Sequence, residues 1–368
     1  MLKNNIAVLI IAAGYSSRMH DFKPLLTFGQ TTALERLIQT YQRHGIEHIY
    51  VVTGYRQEDI IETLKNYQVH IVYNEEYAKG MFSSIQKGIR AIDESVEAVY
   101  MQPVDIPLIK TRTLECLYEA YVREHKGVLY PTFLGRKGHP PLISMKYKEQ
   151  ILLSDGEGGL KKVLEAFNLD ALHVSVTDKS VLMDMDTLED YINLVMYEAM
   201  NAPTKEECLA IMMEKGVPAP IINHCDAVEK MVCKVYEQVA TFGLEIDINT
   251  LSAAAWLHDI ARTEKNHAIV GSSYLKAMGY GVIADIIATH MDIDVDMRAP
   301  LSANELLFLA DKLIRENEVC GFEKRFEKAY KKCEGNLDAQ GNITRRLEAT
   351  KAIIAKIEKL TCKEFLYD

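Results

Sequence analysis

The sequence lacks any apolar run of the roughly 20 residues that a membrane-spanning helix needs. Its longest uninterrupted apolar run covers only residues 6–13. Arg18 and Lys23 follow this run closely, which also argues against a secretory signal. We therefore expect no membrane partner.

An excess of basic residues is also missing. The chain has 42 Lys and Arg residues against 52 Asp and Glu residues, which gives a net charge of −10. Such a balance provides no general field to attract a nucleic-acid backbone, so we expect no nucleic-acid partner. An anionic substrate must instead be bound by local cations or by metal ions.

The sequence also lacks closely spaced pairs of cysteines. The seven cysteines are scattered and form no CxxC motif, as is typical of reduced thiols, and we expect a cytoplasmic protein. Hydrophobic residues make up 48% of the chain and charged residues 26%, which excludes collagen-like and disordered classes. At roughly 150 residues per domain, the 368 residues predict two domains.

The first half alternates short apolar runs with amphipathic segments of helix length, which is typical of an α/β domain. Thr32 and Glu35 form a capping box for the first helix, which Gly45 ends. This alternation predicts a doubly wound, mainly parallel sheet. The predicted strands cover residues 6–13, 49–53, 69–73, 98–101 and 128–130, and the predicted helices cover residues 33–44, 57–66, 82–92 and 112–125.

The second half shows helical periodicity instead, over residues 227–241, 250–260 and 305–317, and we expect it to be all-α. Between the halves, Pro203 disfavours helix at the residue before it, and Thr204 can cap the next helix. We therefore predict domains over residues 1–200 and 201–368.

A turn of small residues follows the first predicted strand and resembles a phosphate-binding loop in its geometry. Arg18 and Lys23 can add positive charge there. The loop matches neither GxxxxGK[ST] nor GxGxxG, which removes the main support for P-loop hydrolases and nicotinamide enzymes. A plain turn with two surface cations remains the alternative.

Four segments in order resemble the nucleotidyltransferase family that includes molybdenum-cofactor cytidylyl- and guanylyltransferases. Residues 9–26 (LIIAAGYSSRMHDFKPLL) resemble its opening signature, although His20 and Asp21 stand where the family usually has glycine. The other segments are Asn74 with residues 80–84, residues 102–107 (QPVDIP) and residues 184–187 (DMDT). The resemblance covers residues 4–195, and residues 135–141 (GRKGHPP) resemble the cytidylyltransferase branch.

This resemblance implies a Rossmann-like nucleotidyltransferase fold in which Asp105 and Asp186 hold Mg²⁺, with Arg18, Lys23 and Asp105 as catalytic residues. It also implies that CTP is the favoured nucleoside triphosphate and that a phosphorylated molecule such as molybdopterin is the acceptor. A molybdenum hydroxylase or its maturation factors would then be protein partners. The implied nucleotide-binding residues are Ala12, Ala13, Gly14, Ser16, Arg18, Lys23, Asn74, Gly80, Ser83 and Ser84. Alternatively, Ser83 is a helix N-cap and Asn74 a strand-end turn residue.

Histidines and aspartates recur on separate predicted helices of the second half. Helices of a bundle can bring such side chains together at a metal site. His258 and Asp259 are adjacent, about 100° apart around a helix, so both can reach one metal ion. The residues concerned are His224, His258, Asp259, His267, His290 and Asp311.

Residues 206–327 resemble the HD family of metal-dependent phosphohydrolases. The resemblance implies a first metal site of His224, His258, Asp259 and Asp311. Residues 266–271 and His290 further resemble the two-metal branch that includes dinucleoside tetraphosphate hydrolases, so that His267 and His290 complete a second site bridged by Asp259. Such ligands suit one or two ions of Fe, Mn, Co, Ni or Zn better than calcium. The implied catalytic residues of this half are Asp259 and Arg262. The side chains of Arg262 and Lys312 either bind phosphate or are solvated.

The leading interpretation is a bifunctional enzyme that combines nucleotidyl transfer with metal-dependent phosphate hydrolysis. One alternative assigns the first domain a sugar phosphate, alditol phosphate or other small phosphate as acceptor. Another makes the HD half a nucleotide-sensing module that regulates the first.

Overall fold

The computed structural model describes residue 3 and residues 5–16, 18–19 and 21–367, so that Ser17 and His20 of the predicted loop lie outside the described residues. Contacts along the chain divide it into two compact units, Met1–Ala199 and Met200–Asp368.

The first unit is built on an eight-stranded mixed sheet. Its strands are β1 (Ile6–Ile11), β4 (His48–Thr53), β5 (His70–Tyr73), β6 (Ala98–Pro103), β7 (Val128–Phe133), β8 (Arg136–Lys137), β9 (Leu142–Ser144) and β10 (Ala171–Ser175), while β2 (Thr27–Phe28) and β3 (Thr31–Thr32) form a separate hairpin. The strand order in the sheet is β10-β7-β9-β6-β1-β4-β5, and β8 pairs with β7. Strands β8 and β9 pair antiparallel with their neighbours, and the other pairs of the large sheet are parallel. The prediction of a mainly parallel α/β sheet is confirmed.

Within the described residues of this unit, α-helices lie between the strands, and a last one follows β10. They are α1 (Ala33–Arg43), α2 (Gln57–Leu64), α3 (Met81–Ala91), α4 (Thr111–Glu124), α5 (Lys148–Leu153), α6 (Gly159–Glu165) and α7 (Leu188–Ala199). The predicted capping box is present, because the Thr32 side chain accepts from the Glu35 amide while the Glu35 carboxylate accepts from the Thr32 amide. Gly45 follows the helix with a φ of +85°, which glycine adopts without steric cost.

The neighbouring strands β1 and β6 end at the same edge of the sheet. All six residues of β1 are buried, as expected of a central strand covered on both faces. Its last residue, Ile11, pairs in parallel register with Pro103, the last residue of β6. The chain segments that follow the two strands therefore leave the sheet side by side.

The second unit is mostly helical, as predicted. Its helices are α8 (Lys205–Glu214), α9 (Ala219–Val239), α10 (Ile248–Leu257), α11 (His267–Ala277), α12 (Gly281–Ile287), α13 (Ala303–Leu313), α14 (Phe322–Lys332) and α15 (Leu337–Thr361). Thr204 caps α8 through a capping box with Glu207, also as predicted. Trp256 is buried in the core of this unit. Among the described residues, no helix has both the length and the apolar character to cross a membrane.

Two predicted helix ends were wrong. The helix predicted over residues 305–317 stops at Leu313, because Ile314 adopts an extended backbone and a hairpin of β11 (Ile314–Arg315) and β12 (Glu318–Val319) follows. The helix predicted over residues 250–260 stops at Leu257. The turns after it are closed by hydrogen bonds between residues three apart, Ile260 to Leu257 and Arg262 to Asp259.

We predict that pieces covering residues 1–200 and 201–368 fold independently, because each is long enough for its own buried core. This cut keeps Ala202, which packs in the core of the second unit, with that unit. Each piece should show one cooperative unfolding transition, with a mixed α/β circular dichroism spectrum for the first piece and a helical one for the second.

A piece covering residues 1–134 is the control. It lacks β9, which lies between β6 and β7 in the sheet, and it should fail to fold. Aggregation or non-cooperative unfolding of either main piece would contradict the prediction.

Candidate active sites

The loop after β1 exposes backbone amides at the carboxyl edge of the sheet. Ala12 and Ala13 are buried, and their backbones bond to Val52 and Tyr55. Ser16 has a φ of +55°, and its Oγ accepts a 3.1 Å hydrogen bond from the Lys23 amide, which holds the two ends of the loop together. No described residue accepts a backbone hydrogen bond from Gly14, Tyr15 or Ser16. These amides are therefore available to an anion.

Two cations and two carboxylates meet beside this loop. Lys23 Nζ lies 2.8 Å from Asp186 Oδ1 and 3.3 Å from Asp105 Oδ2. Arg18 lies 2.8 Å from Asp186 Oδ2. The structure thus brings together the two predicted magnesium ligands and the two predicted catalytic cations. The hydrogen bond from Lys23 lowers the pKa of Asp186, and the charges of Lys23 and Arg18 add to this effect.

Buried hydrogen bonds position both carboxylates. The Gln102 side chain donates to the carbonyls of Pro103 and Ile106 and accepts from the Tyr41 hydroxyl, which rigidifies the turn that carries Asp105. The Met185 amide donates to the Asp105 carbonyl at 2.9 Å, so the turn before Asp186 is tied to the end of β6. Oxygen donors of this kind suit Mg²⁺, and the pair fits the predicted metal.

The Asn74 side chain is committed to contacts within the protein. Its Nδ2 donates to the hydroxyls of Ser83 and Ser84 at 3.0 and 2.9 Å, and its Oδ1 accepts from the Glu76 amide. The alternative that Ser83 is an N-cap is wrong, because Gly80 occupies that position. The Asx turn at Asn74 agrees with the alternative of a strand-end turn residue.

A cavity of about 280 Å³ lies between these segments. Of the predicted nucleotide-binding residues, those that line it are Ala12, Ala13, Gly14, Ser16, Lys23, Gly80 and Ser84, and Asp105 lines it too. Arg18, Asn74, Ser83 and Asp186 do not. Sequence reasoning missed the aromatic wall of Tyr15 and Tyr77, whose ring centroids lie 5.2 Å apart. No spacing signal marks these tyrosines, because they come from different loops.

In the second unit, the six predicted metal ligands form two overlapping groups. His224, His258 and Asp259 offer ligand atoms within 4.8 Å of one another, and so do Asp259, His267 and His290. Asp311 joins the first group, with Oδ1 at 3.2 Å from His224 Nε2. Asp259 belongs to both groups, as the prediction of a bridging carboxylate requires.

The expected placement of the His-Asp pair on a helix was wrong. His258 is the C-cap of α10, and Asp259 lies in the turn that follows. His290 likewise follows the end of α12, whereas His267 is the first residue of α11. Helix ends therefore supply most of the ligands, because the chain turns there and its side chains can converge.

Three of the imidazoles have their orientation fixed by backbone carbonyls. The Nδ1 atoms of His224, His258 and His290 lie 2.6, 2.8 and 2.7 Å from the carbonyls of Glu316, Ala255 and Ile287. A carbonyl oxygen only accepts, so this contact favours the tautomer with its proton on Nδ1, in which Nε2 can bind a metal ion, as in metal-binding histidines. Burial lowers the pKa of His258 to about 4, which keeps its ring neutral at pH 7.

Two buried polar atoms at the centre of the cluster support a metal site. His258 Nε2 and Asp259 Oδ1 have no hydrogen-bond partner among the described residues. Burial by itself would raise the pKa of Asp259, but the facing imidazoles and Arg262 hold it well below its ordinary value. An ionised buried carboxylate beside an unused imidazole lone pair is stabilised by a divalent cation. The residues present therefore fit the predicted metals.

A cavity of about 600 Å³ opens onto this cluster and is lined by His224, Asp259 and Asp311. Lys312 is buried and ion-paired to Asp311 at 2.6 Å, so it is not a solvated cation, whereas Arg262 is half-exposed. Sequence reasoning missed most of the positive charge around this cavity. Its cations are Arg262, Lys312, Arg315, Arg325, Lys328, Lys332 and Arg346.

Comparison with known proteins defines the class of each unit. Residues 8–173 match the MobA-like NTP transferase domain, and residues 221–316 match the HD domain. The chain thus joins a nucleotidyltransferase domain to an HD domain.

Individual relatives match the first of these domains. Molybdenum cofactor cytidylyltransferase from Escherichia coli (strain K12) is 28% identical over 188 residues, which cover 51% of this chain and 94% of the relative. Bifunctional protein GlmU from Francisella tularensis subsp. novicida (strain U112) is 30% identical over 138 residues, which cover 36% of this chain but only 30% of the relative. The solved structure of 4-diphosphocytidyl-2C-methyl-D-erythritolsynthase from Anaerococcus prevotii superposes with a TM-score of 0.45, at 20% identity, and covers 53% of this chain and 96% of that one.

Proposed function

We propose that the first unit transfers a nucleotidyl group from a nucleoside triphosphate to a phosphorylated acceptor and releases pyrophosphate. The observation that carries this proposal is the meeting of Lys23, Asp105 and Asp186 beside the available amides of the β1 loop. An oxygen of the acceptor phosphate attacks the α-phosphorus. The bond from that phosphorus to the β-phosphate oxygen breaks, so the transfer needs no oxidant or reductant.

Each group of the site has a role in this transfer. The loop amides and Lys23 bind phosphate oxygens and neutralise developing charge, and Arg18 adds charge at the rim. Asp105 and Asp186 would hold Mg²⁺, which supplies charge neutralisation when bound. Asn74 positions the start of α3 through Ser83 and Ser84.

CTP and molybdopterin are the substrates that we assign to this site. The Escherichia coli cytidylyltransferase, matched over 94% of its length, supports both assignments. The aromatic wall of Tyr15 and Tyr77 offers an apolar surface to a flat ring, such as a nucleotide base or a pterin. The nucleotide-bearing product would then pass, in the cytoplasm, to a molybdenum hydroxylase or its maturation factors.

We expect Asp105→Asn to lower pyrophosphate release roughly 100- to 1000-fold, because it removes a charged oxygen that organises the triphosphate. The assay measures pyrophosphate release from each nucleoside triphosphate with Mg²⁺, with and without molybdopterin. Release that depends on both CTP and molybdopterin is expected.

Asp155→Asn is the matched control, because Asp155 is an exposed carboxylate of the same unit outside the cavity. It should retain wild-type turnover. Near-normal turnover of Asp105→Asn would contradict the role assigned to Asp105, and equal turnover with a sugar phosphate would contradict the choice of acceptor.

We further propose that the second unit is a metal-dependent phosphohydrolase. The observation that carries this proposal is the pair of ligand groups that share Asp259 at one end of a cation-lined cavity. Metal ions bound there would supply Lewis acidity and an activated water. Arg262 binds the substrate phosphate at the cluster, while Lys312 orients Asp311 and stabilises its buried charge.

We expect the reconstituted wild-type chain to contain two transition-metal ions in this unit. Asp259→Ala should lose both, because both ligand groups include Asp259, whereas His290→Ala should lose mainly the second ion. The Mn²⁺ that Asp259→Ala loses relative to the wild type, measured by elemental analysis after reconstitution, gives the stoichiometry of this unit, because Asp105 and Asp186 are present in both chains. Hydrolysis of dinucleoside polyphosphates and phosphoesters measures the activity.

Asp285→Ala serves as the control, since Asp285 is an exposed carboxylate of the same unit that pairs with Lys276. It should bind as much metal as the wild type. One ion or none in the wild type would refute the two-metal site. Two ions without hydrolysis of any phosphate would instead favour a nucleotide-sensing role.

A further inference from the structure

Part of the large cavity in the second unit is built by chain that lies beyond the HD domain match. That match ends at residue 316, whereas one wall of the cavity comes from α14 and α15. The α14 residues Arg325, Lys328 and Lys332 line this wall. Their spacing of three and four residues places them on one face of the helix, along about 10 Å of its axis.

Some of the cations around the cavity already have partners. Lys312 pairs with Asp311, and Arg346 makes a bidentate contact with Asp292 at 2.7 and 2.8 Å. Arg325 donates to the carbonyls of Asp311 and Ile314. These contacts hold the wall in place beside the ligand cluster.

Three cations of the wall have no such partner. Arg315, Lys328 and Lys332 are exposed, and none of them forms an ion pair within the described residues; Glu327, which also interacts with Lys328, is ion-paired to Lys331. The chain has a net charge of −10, so a group of unpaired cations around one cavity is a local exception to its overall negative charge. Like charges held close together repel one another unless an anion binds between them.

We propose that this cationic wall, formed by Arg315, Arg325, Lys328 and Lys332, binds the phosphates of a linear phosphoanhydride chain next to the phosphate held at the ligand cluster. This assignment of the wall rests on the proposed phosphohydrolase function and adds a substrate class to it. A chain of several phosphates can contact the cluster and the wall together, because Arg325 lies 3.8 Å from Asp311 and the other α14 cations follow along about 10 Å of the helix axis. Water cleaves one P–O–P bond: its oxygen bonds to one phosphorus, the bridging oxygen leaves with the other phosphorus, and the two protons of the water end on these two oxygens or in solvent.

The test compares two double variants of α14. Lys328→Gln with Lys332→Gln removes two charges from the wall. Lys324→Gln with Lys331→Gln removes two charges from the same helix at exposed positions that do not line the cavity, and it is the matched control. All four positions are exposed, so both variants should fold as the wild type does.

The first measurement is calorimetric binding of inorganic tripolyphosphate to the metal-free full chain. All chains in this assay also carry Arg18→Ala and Lys23→Ala, which remove the cations of the first unit's loop. The wall variant should bind roughly tenfold more weakly than the control, because each exposed ionic contact contributes modestly. The affinity should also fall as salt is added. Equal affinity of the wall variant and the control would overturn the proposal.

The second measurement is hydrolysis by the full chain loaded with Mn²⁺. The ratio of kcat/KM for tripolyphosphate to kcat/KM for p-nitrophenyl phosphate should fall about tenfold in the wall variant and stay constant in the control, with equal metal content. An unchanged ratio in the wall variant would overturn the proposal. If the wild type hydrolyses neither compound, the phosphohydrolase function fails, and tripolyphosphate binding decides the proposal by itself.

Discussion

The charge of Asp259 is the constraint around which the helical unit is organised. An ionised carboxylate this deeply buried costs several kcal/mol unless opposite charge or a metal faces it. Arg262 and the Nε2 atoms of three imidazoles lie within 3.7 Å of the Asp259 carboxylate oxygens, and a metal ion held between these nitrogens and oxygens would offset the remaining cost. Because several helices must deliver these groups to one point, their ends converge there, and backbone carbonyls at those ends orient the imidazoles.

A related constraint shapes the first unit in a more exposed setting. Lys23 lies between Asp105 and Asp186, so that two carboxylates share one ammonium group. Since this cluster sits at the rim of a cavity, its charges remain accessible to a triphosphate and to Mg²⁺. Buried Gln102 keeps the turn rigid, which maintains the distance between the carboxylates and the loop amides.

Both units therefore concentrate local positive charge in a chain that is acidic overall. The net charge of −10 would repel phosphates at long range, and only concentrated cations overcome this at short range. In the first unit the cations come from one loop. In the second they come from five separate segments, namely the turn after α10, α13, β11, α14 and α15, which gives a longer charged surface.

Much of the fold was predictable because local patterns determine it. Alternating apolar runs identified β1, β4 and β6, and the capping box at Thr32 marked the start of α1. The short strand β9 was not predicted, since three residues carry no clear periodicity. The adjacency of His258 and Asp259 indicated a metal site, but the helix predicted to carry them ends before both.

The sequence by itself determined the two fold classes and the residue types of each site, because strand and helix periodicity, caps and motifs act over a few neighbouring positions. Only the tertiary structure decided how those residues meet. Lys23 reaches Asp105 because the parallel strands β1 and β6 end at the same edge, and it reaches Asp186 because the Met185 amide ties that turn to Asp105. The α14 lysines line the cavity at the ligand cluster because the helices pack around one core. These contacts join positions far apart in the chain, and no local pattern encodes the distance between them.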